Sequence, residues 1–258
     1  MLTEPRAGLL GPEDPPPVMR SNVSGAAPFL FTGDHAGSAI PRKLGTLGLD
    51  TSDLARHIAC DAGVKGLGEA LAARLDAPFI HQAYSRLVID CNRDPMSEEA
   101  IPLMSDGTII AGNAKLTPAA RRSRIVEIHE PYHSAIGVML ANWKVLGQAP
   151  ILVALHSFTP VMAGVERPWD VGILHDGANE LFARRVLRAL RSEARLNVGD
   201  NQPYRMDATD YTVPRHAFRS GLAYVEIEVR QDRIADTAGQ QHWAELIAAA
   251  LTTAVYQG

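Results

Sequence analysis

The stretch Pro150-Ile-Leu-Val-Ala-Leu155 constrains the fold more than any other part of the chain. An unbroken apolar run of strand length has no outward face, which is the pattern of a strand buried on both sides of its sheet. Such a strand needs helices above and below it. Ser52–Leu75 supplies one, with Leu54, Ile58, Val64, Leu67, Leu71 and Leu75 at helical spacing behind a start signal at Asp50-Thr51-Ser52. Thr117-Pro118 opens a second, expected to run to about Leu146 with Pro131 kinking or dividing it. Asn179–Arg195 and Gln240–Tyr256 complete the set. Strands are expected at Pro28–Thr32, Pro78–His81, Leu87–Cys91, Val171–Leu174 and Leu222–Arg230. Ala100–Leu116 reads as a loop with turns at Asp106-Gly107 and Gly112-Asn113. This alternation predicts an α/β fold, a mostly parallel or mixed central sheet with helices on both faces.

With 258 residues, 46% of them hydrophobic, the chain has material for one large core. Residues 28–258 read as a single α/β domain. Residues 1–27 read as a Pro-rich leader, extended or disordered, because its PPP run resists helix and ladder pairing. A net charge of -4 gives no basic footprint, so nucleic acid is not expected as a partner. No apolar run approaches the ~20 residues that span a bilayer. Met1–Arg20 carries acids and prolines where a secretory signal needs an apolar core, and two cysteines, Cys60 and Cys91, cannot build a disulfide scaffold. These features point to the cytoplasm.

The chemistry is expected at strand ends, where α/β folds place ligands. His35 follows the strand ending at Thr32, and His156 follows the PILVAL strand, so parallel neighbours would bring both imidazoles to one edge. Two imidazoles and a carboxylate can bind Zn²⁺ with a position left open. Asp61 sits four residues after His57, on one helical face. His129 and His133 are likewise four apart, with Pro131 between them. His81 and His242 have no constellation around them, and His175 sits in a loop-like HDG. Strict alternation in Tyr224–Arg230 puts Val225, Ile227 and Val229 on one face and Tyr224, Glu226, Glu228 and Arg230 on the other. A glutamate there is suited to activating water, although a half-solvated edge gives the same pattern. Arg86 and Arg93 flank an apolar segment and can fork onto a carboxylate or form structural pairs with Asp90. There is no GxGxxG, no GxxxxGK[ST], no HExxH and no GxSxG.

Taken in order, GDHAGSAIP, HIACDAG, YSRLVIDCNRDP, PYHSAI, ALHSF and YVEIEVRQD resemble the N-formylglutamate amidohydrolase family, a distant relative of zinc carboxypeptidases and aspartoacylases. The resemblance spans Phe29 to about Leu251. It implies a phosphorylase/hydrolase-like α/β fold and metal-dependent hydrolysis of the amide of a small acidic N-acyl amino acid, with N-formyl-L-glutamate the leading substrate. It further implies Zn²⁺, or another divalent metal, held by His35, His156 and a third ligand. Ser38 stands where the carboxypeptidase HxxE glutamate would be, so Asp61 is the choice for that ligand and His133 its competitor. Glu228 matches the general base, with Glu226 two residues away on the same face. Arg86 would be an oxyanion contact, and Asn92-Arg93 the pair that grips a substrate carboxylate. His133, His216 and Arg230 would be further substrate contacts. Two other readings remain at this point, a related amidase or peptidase-like enzyme for another N-acyl substrate, and a non-catalytic small-anion binder.

Overall fold

In the structure, a computed structural model, residues 8–177 and 179–256 are described. The PILVAL run is the middle of β6 (Ile151–Phe158), buried along its whole length at the centre of a seven-stranded sheet. On one side lie β2 (Phe29–Gly33), β3 (Phe79–Gln82) and the edge strand β1 (Val18–Ser21). On the other lie β11 (Tyr224–Arg230), β9 (Val171–Leu174) and β10 (Val198–Asp200). Strands β3, β2, β6 and β11 run parallel; β1 pairs antiparallel to β3 and β9 antiparallel to β11, so the sheet is mixed. Two short hairpins stand outside it, β4–β5 (Met104–Ser105 and Thr108–Ile109) and β7–β8 (Val161–Met162 and Val165–Glu166). The first turns on Asp106-Gly107, both at positive φ, the backbone that an Asp-Gly turn supplies.

Alternation along the strands sorts their side chains between two layers. Phe29, Phe31, Val153, Leu155, Val225, Ile227 and Val229 face α2 (Val64–Leu75), α5 (Leu181–Arg191) and α7 (Thr237–Tyr256). Leu67, Leu71, Val186, Ile247 and Leu251 close that layer, and truncating a leucine there to alanine costs about 2–5 kcal/mol. Leu30, Leu152, Ala154 and Tyr224 face the opposite way, toward Tyr132 and Ile136 of α4 (Glu130–Val145) and Val213 of α6 (Thr212–His216). His156, Glu226 and Glu228 share this second parity, so they point to the α4–α6 side at the sheet's carboxyl edge. No helix among the described residues is long and apolar enough to cross a membrane.

Four expectations change. The helix expected over Ser52–Leu75 is two pieces, α1 (Thr51–Leu54) and α2, separated by turns that carry Asp61. The helix from Pro118 runs as α3 (Pro118–Arg124), a π-turn (Ile125–His129) and α4. Pro131 falls on the first turn after this wide turn, where its missing N–H is tolerated. Leu87–Cys91 is no strand, because side chains take its backbone carbonyls. Asn113 donates to Leu87 O, Arg124 to Val88 O, and His133 to Cys91 O. The stretch set apart as a leader is described from Gly8, and residues 1–7 lie outside the described residues. Leu9 is buried, the N–H groups of Leu9 and Leu10 donate to the Glu127 carboxylate, Tyr84 donates to Pro15 O, and β1 extends the sheet.

Candidate active site

Adjacent parallel strands place His35, just past β2, beside His156 of β6, their ring centroids 5.0 Å apart. The turn that carries His35 packs tightly, because a Cβ on Gly37 would meet the backbone of Ala83 at 2.2 Å. The Asp61 N–H donates to His35 O, which brings the Asp61 carboxylate to both rings, 3.5 Å from His35 Nδ1 and 3.0 Å from His156 Nδ1. Ligand atoms of His35, Asp61 and His156 all lie within 4.8 Å of one another, and all three residues are buried. This group can hold a metal ion.

Two more aspartates stand behind the imidazoles. Asp90 Oδ1 is 2.7 Å from His35 Nε2, and Asp34 Oδ2 is 3.5 Å from His156 Nε2. Asp34 is itself fixed by the hydroxyl of Tyr132, which donates to Oδ1 at 2.6 Å. A carboxylate on the far nitrogen of an imidazole orients the ring and raises its basicity toward a metal. Burial opposes the charge of His35, as does Arg86, but Asp90 and Asp61 overcome both and raise its pKa. Burial likewise opposes the charge of His156, yet Asp34 and Asp61 hold its pKa well above the ordinary value. Burial alone would raise Asp34, but His156 outweighs it and lowers that carboxyl to about 2. The site is therefore built to hold positive charge. His35 Nδ1 is buried with no hydrogen-bond partner, so a lone pair or proton there faces the gap between the three side chains. A divalent cation fits this donor set, which pairs imidazole nitrogens with carboxylate oxygen.

The group opens on a cleft of about 730 Å³ that also receives Arg86, Asn92, Arg93, Glu226 and Glu228. In register, Glu228 lies opposite His156, and burial pushes it and Glu226 up to about 8. Glu228 Oε2 is buried without a partner. Arg86 donates from Nε and Nη2 to Asp90 Oδ2 at 3.1 and 2.7 Å and lies 3.5 Å from Asp61. Arg93 stands 3.6 Å from Asp210 and 3.5 Å from Glu99.

Of the other residues singled out from the sequence, Asn92 lines the cleft with its amide already engaged, whereas His133, His216 and Arg230 do not line it. The Asn92 side chain is occupied, since Oδ1 accepts from the N–H groups of Tyr211 and Thr212 and Nδ2 donates to Asp210. It braces the cleft wall more than it offers a free amide. His133 donates from Nε2 to Cys91 O, so its Nδ1 is the acceptor for Nε2–H of His216 at 3.1 Å. The two rings stack at 5.3 Å, apart from the metal group, and His133 is not placed as the third ligand. Arg230 turns to Asp232 and Asp170 outside the cleft. His57 reaches the cleft but stands 3.6 Å from Asp106 rather than in the His–Asp–His group. Sequence reading gave no role to Asp34, Tyr204 or Arg205, all of which belong to the site or its walls. Asp34, adjacent to His35 in GDHAG, carried a visible signal; Tyr204 and Arg205, in an irregular segment far along the chain, carried none.

Fold and cleft together define an α/β protein with a buried His–Asp–His group, able to hold a metal ion, at the carboxyl edge of a mixed sheet. The model of the N-formylglutamate amidohydrolase family matches residues 27–235, and the chain belongs to that family of amide hydrolases. A gene product of Agrobacterium tumefaciens is 33% identical, with a TM-score of 0.93 over 96% of this chain and 98% of its own. The N-formylglutamate amidohydrolase of Ralstonia eutropha JMP134 shares the fold, with 21% identity and a TM-score of 0.65 over 93% of this chain and 98% of its own. No curated protein matches the chain.

Proposed function

We propose that this protein hydrolyses the amide of a small acidic N-acyl amino acid, with N-formyl-L-glutamate the leading substrate and formate and glutamate the products. The observation that carries the reading is the meeting, in one cleft, of a His–Asp–His donor set with a buried, unpartnered glutamate oxygen and two arginines. Family membership supports the amide as the bond that is cut. His35, Asp61 and His156 would hold the ion, Zn²⁺ or another divalent metal. When bound, such an ion polarises the amide carbonyl and makes water more acidic.

The remaining chemistry belongs to the chain. Glu228 takes a proton from the attacking water and delivers it to the leaving nitrogen as the C–N bond breaks. Burial raises this carboxyl from its ordinary range toward neutral pH, which favours a group that both accepts and returns a proton. The water oxygen stays with the acyl carbon, so formate and a free amine leave. Arg86, pinned by Asp90, stabilises charge that develops on the acyl oxygen. Arg93 binds a substrate carboxylate and orients the amide for attack. The protein is proposed to work in the cytoplasm, where its free thiols Cys60 and Cys91 stay reduced.

Formate release from N-formyl-L-glutamate, followed with metal-loaded and chelator-stripped protein side by side, tests this reading. Metal-dependent release supports it. Folded, metal-loaded protein that releases nothing from this substrate or from other N-acyl amino acids contradicts it.

A further inference from the structure

A dicarboxylate substrate needs a second cation, and the cleft has few to offer. Three arginines line it, Arg86, Arg93 and Arg205. Arg86 is committed to Asp90 and Asp61, and Arg93 lies between Asp210 and Glu99. Arg205 differs from both. Among the described residues it makes no ion pair and no side-chain hydrogen bond, and it is exposed where it lines the cleft.

Its backbone is nevertheless held from both sides. Tyr204 accepts a hydrogen bond from Arg167 at 2.8 Å, with that guanidinium 4.7 Å from the ring centroid. Met206 is buried at 5% exposure in the α4–α6 layer. Just beyond, Asp207 is tied to Asp210 and Thr209, and Asp210 to Asn92. An unpaired guanidinium on a braced segment carries little of the cost of ordering a flexible loop around a ligand. It also has both of its fork edges available for a carboxylate.

We infer that Arg205 binds the substrate's side-chain carboxylate while Arg93 holds the α-carboxylate, and so selects dicarboxylic N-acyl amino acids over their neutral amides. The inference rests on the acyl-amino-acid reading proposed above. Acidic side chains crowd this cleft, with Asp61, Asp90, Glu99, Asp207 and Asp210 among its lining. A substrate carboxylate entering without its own cation would meet their combined repulsion, which gives Arg205 its discriminating effect.

The test compares N-formyl-L-glutamate with N-formyl-L-glutamine, which differ by one charge and little in shape. The wild-type protein is expected to prefer the glutamate compound by about 10- to 100-fold in kcat/KM, the effect of a charge-assisted contact. In Arg205→Gln the preference falls to within about threefold, mostly through KM, and Arg205→Lys restores part of it. A preference that survives in Arg205→Gln overturns the inference, as does a wild type that treats both compounds alike. A second arm measures equilibrium binding of L-glutamate and L-glutamine to the metal-loaded protein, independently of turnover. If neither formyl compound is hydrolysed, the proposed reaction fails on its own account. The binding arm then decides on Arg205, with a glutamate preference lost in the variant supporting it and equal binding in both proteins overturning it.

Discussion

Two histidine pairs lie on the same side of the sheet and behave in opposite ways. His35 and His156 meet with ring centroids 5.0 Å apart, and His133 and His216 with centroids 5.3 Å apart. Around the first pair stand Asp34, Asp61 and Asp90, and the pKa of each ring is raised. The second pair has a backbone carbonyl and the rings of Tyr132 and Tyr211 for neighbours. Burial drives His133 well below its ordinary pKa and His216 down to about 4. Ring proximity is thus no mark of a metal site; the carboxylates that make two buried imidazoles welcome a cation are what separate the pairs.

The comparison breaks most sharply under substitution. His35→Ala or His156→Ala should lose bound metal and at least about 10³ of kcat/KM, read by metal analysis and formate release. Glu228→Gln should keep the metal while kcat falls by about 10²- to 10⁴-fold, and Glu226→Gln should fall much less. A Glu226 variant with the larger loss would move the base role two residues along β11. Asp90→Asn removes support behind His35 and should weaken metal affinity about 10- to 100-fold in a competition titration with a chelator.

Stability against pH distinguishes the pairs next. A neutral histidine with a lowered folded pKa stabilises the protein fully above the unfolded value of about 6.5, and that contribution is lost as pH falls toward the folded value. For His216, falling to about 4, this amounts to at most about 3 kcal/mol. His35 and His156 have the opposite sign in metal-free protein. Their raised values favour the folded state at low pH, and the benefit is lost as pH rises through them. His216→Gln keeps a donor for His133 and removes the titration, so denaturant midpoints between pH 6.5 and 4 should flatten. The smallest effect is expected at Arg230, whose partners Asp170 and Asp232 lie outside the cleft. Arg230→Gln should change KM less than about twofold, and a larger change would return it to the substrate.

Much of this was legible in the chain. The unbroken β6 run fixed a buried central strand, and alternation in Tyr224–Arg230 put Glu226 and Glu228 opposite Val225, Ile227 and Val229, as the structure has them. Strand-end placement predicted that His35 and His156 would meet. Leu87–Cys91 misled because an apolar run reads as a strand whatever its carbonyls bond to. Here those partners are Asn113, Arg124 and His133, each remote in sequence. Arg230 misled for a related reason: alternation assigns a face, and the last residue of a strand is free to turn its long side chain toward a nearby acid. The family resemblance supplied Asp61, which local spacing alone paired with His57.

Metal stoichiometry across the two pairs tests the central claim most directly. Wild-type protein and His133→Gln, each loaded with Zn²⁺ and desalted, should retain a stoichiometric ion, whereas His156→Ala should retain almost none. Stoichiometric metal in folded His156→Ala, or its loss in folded His133→Gln, would contradict the assignment of the site to His35, Asp61 and His156.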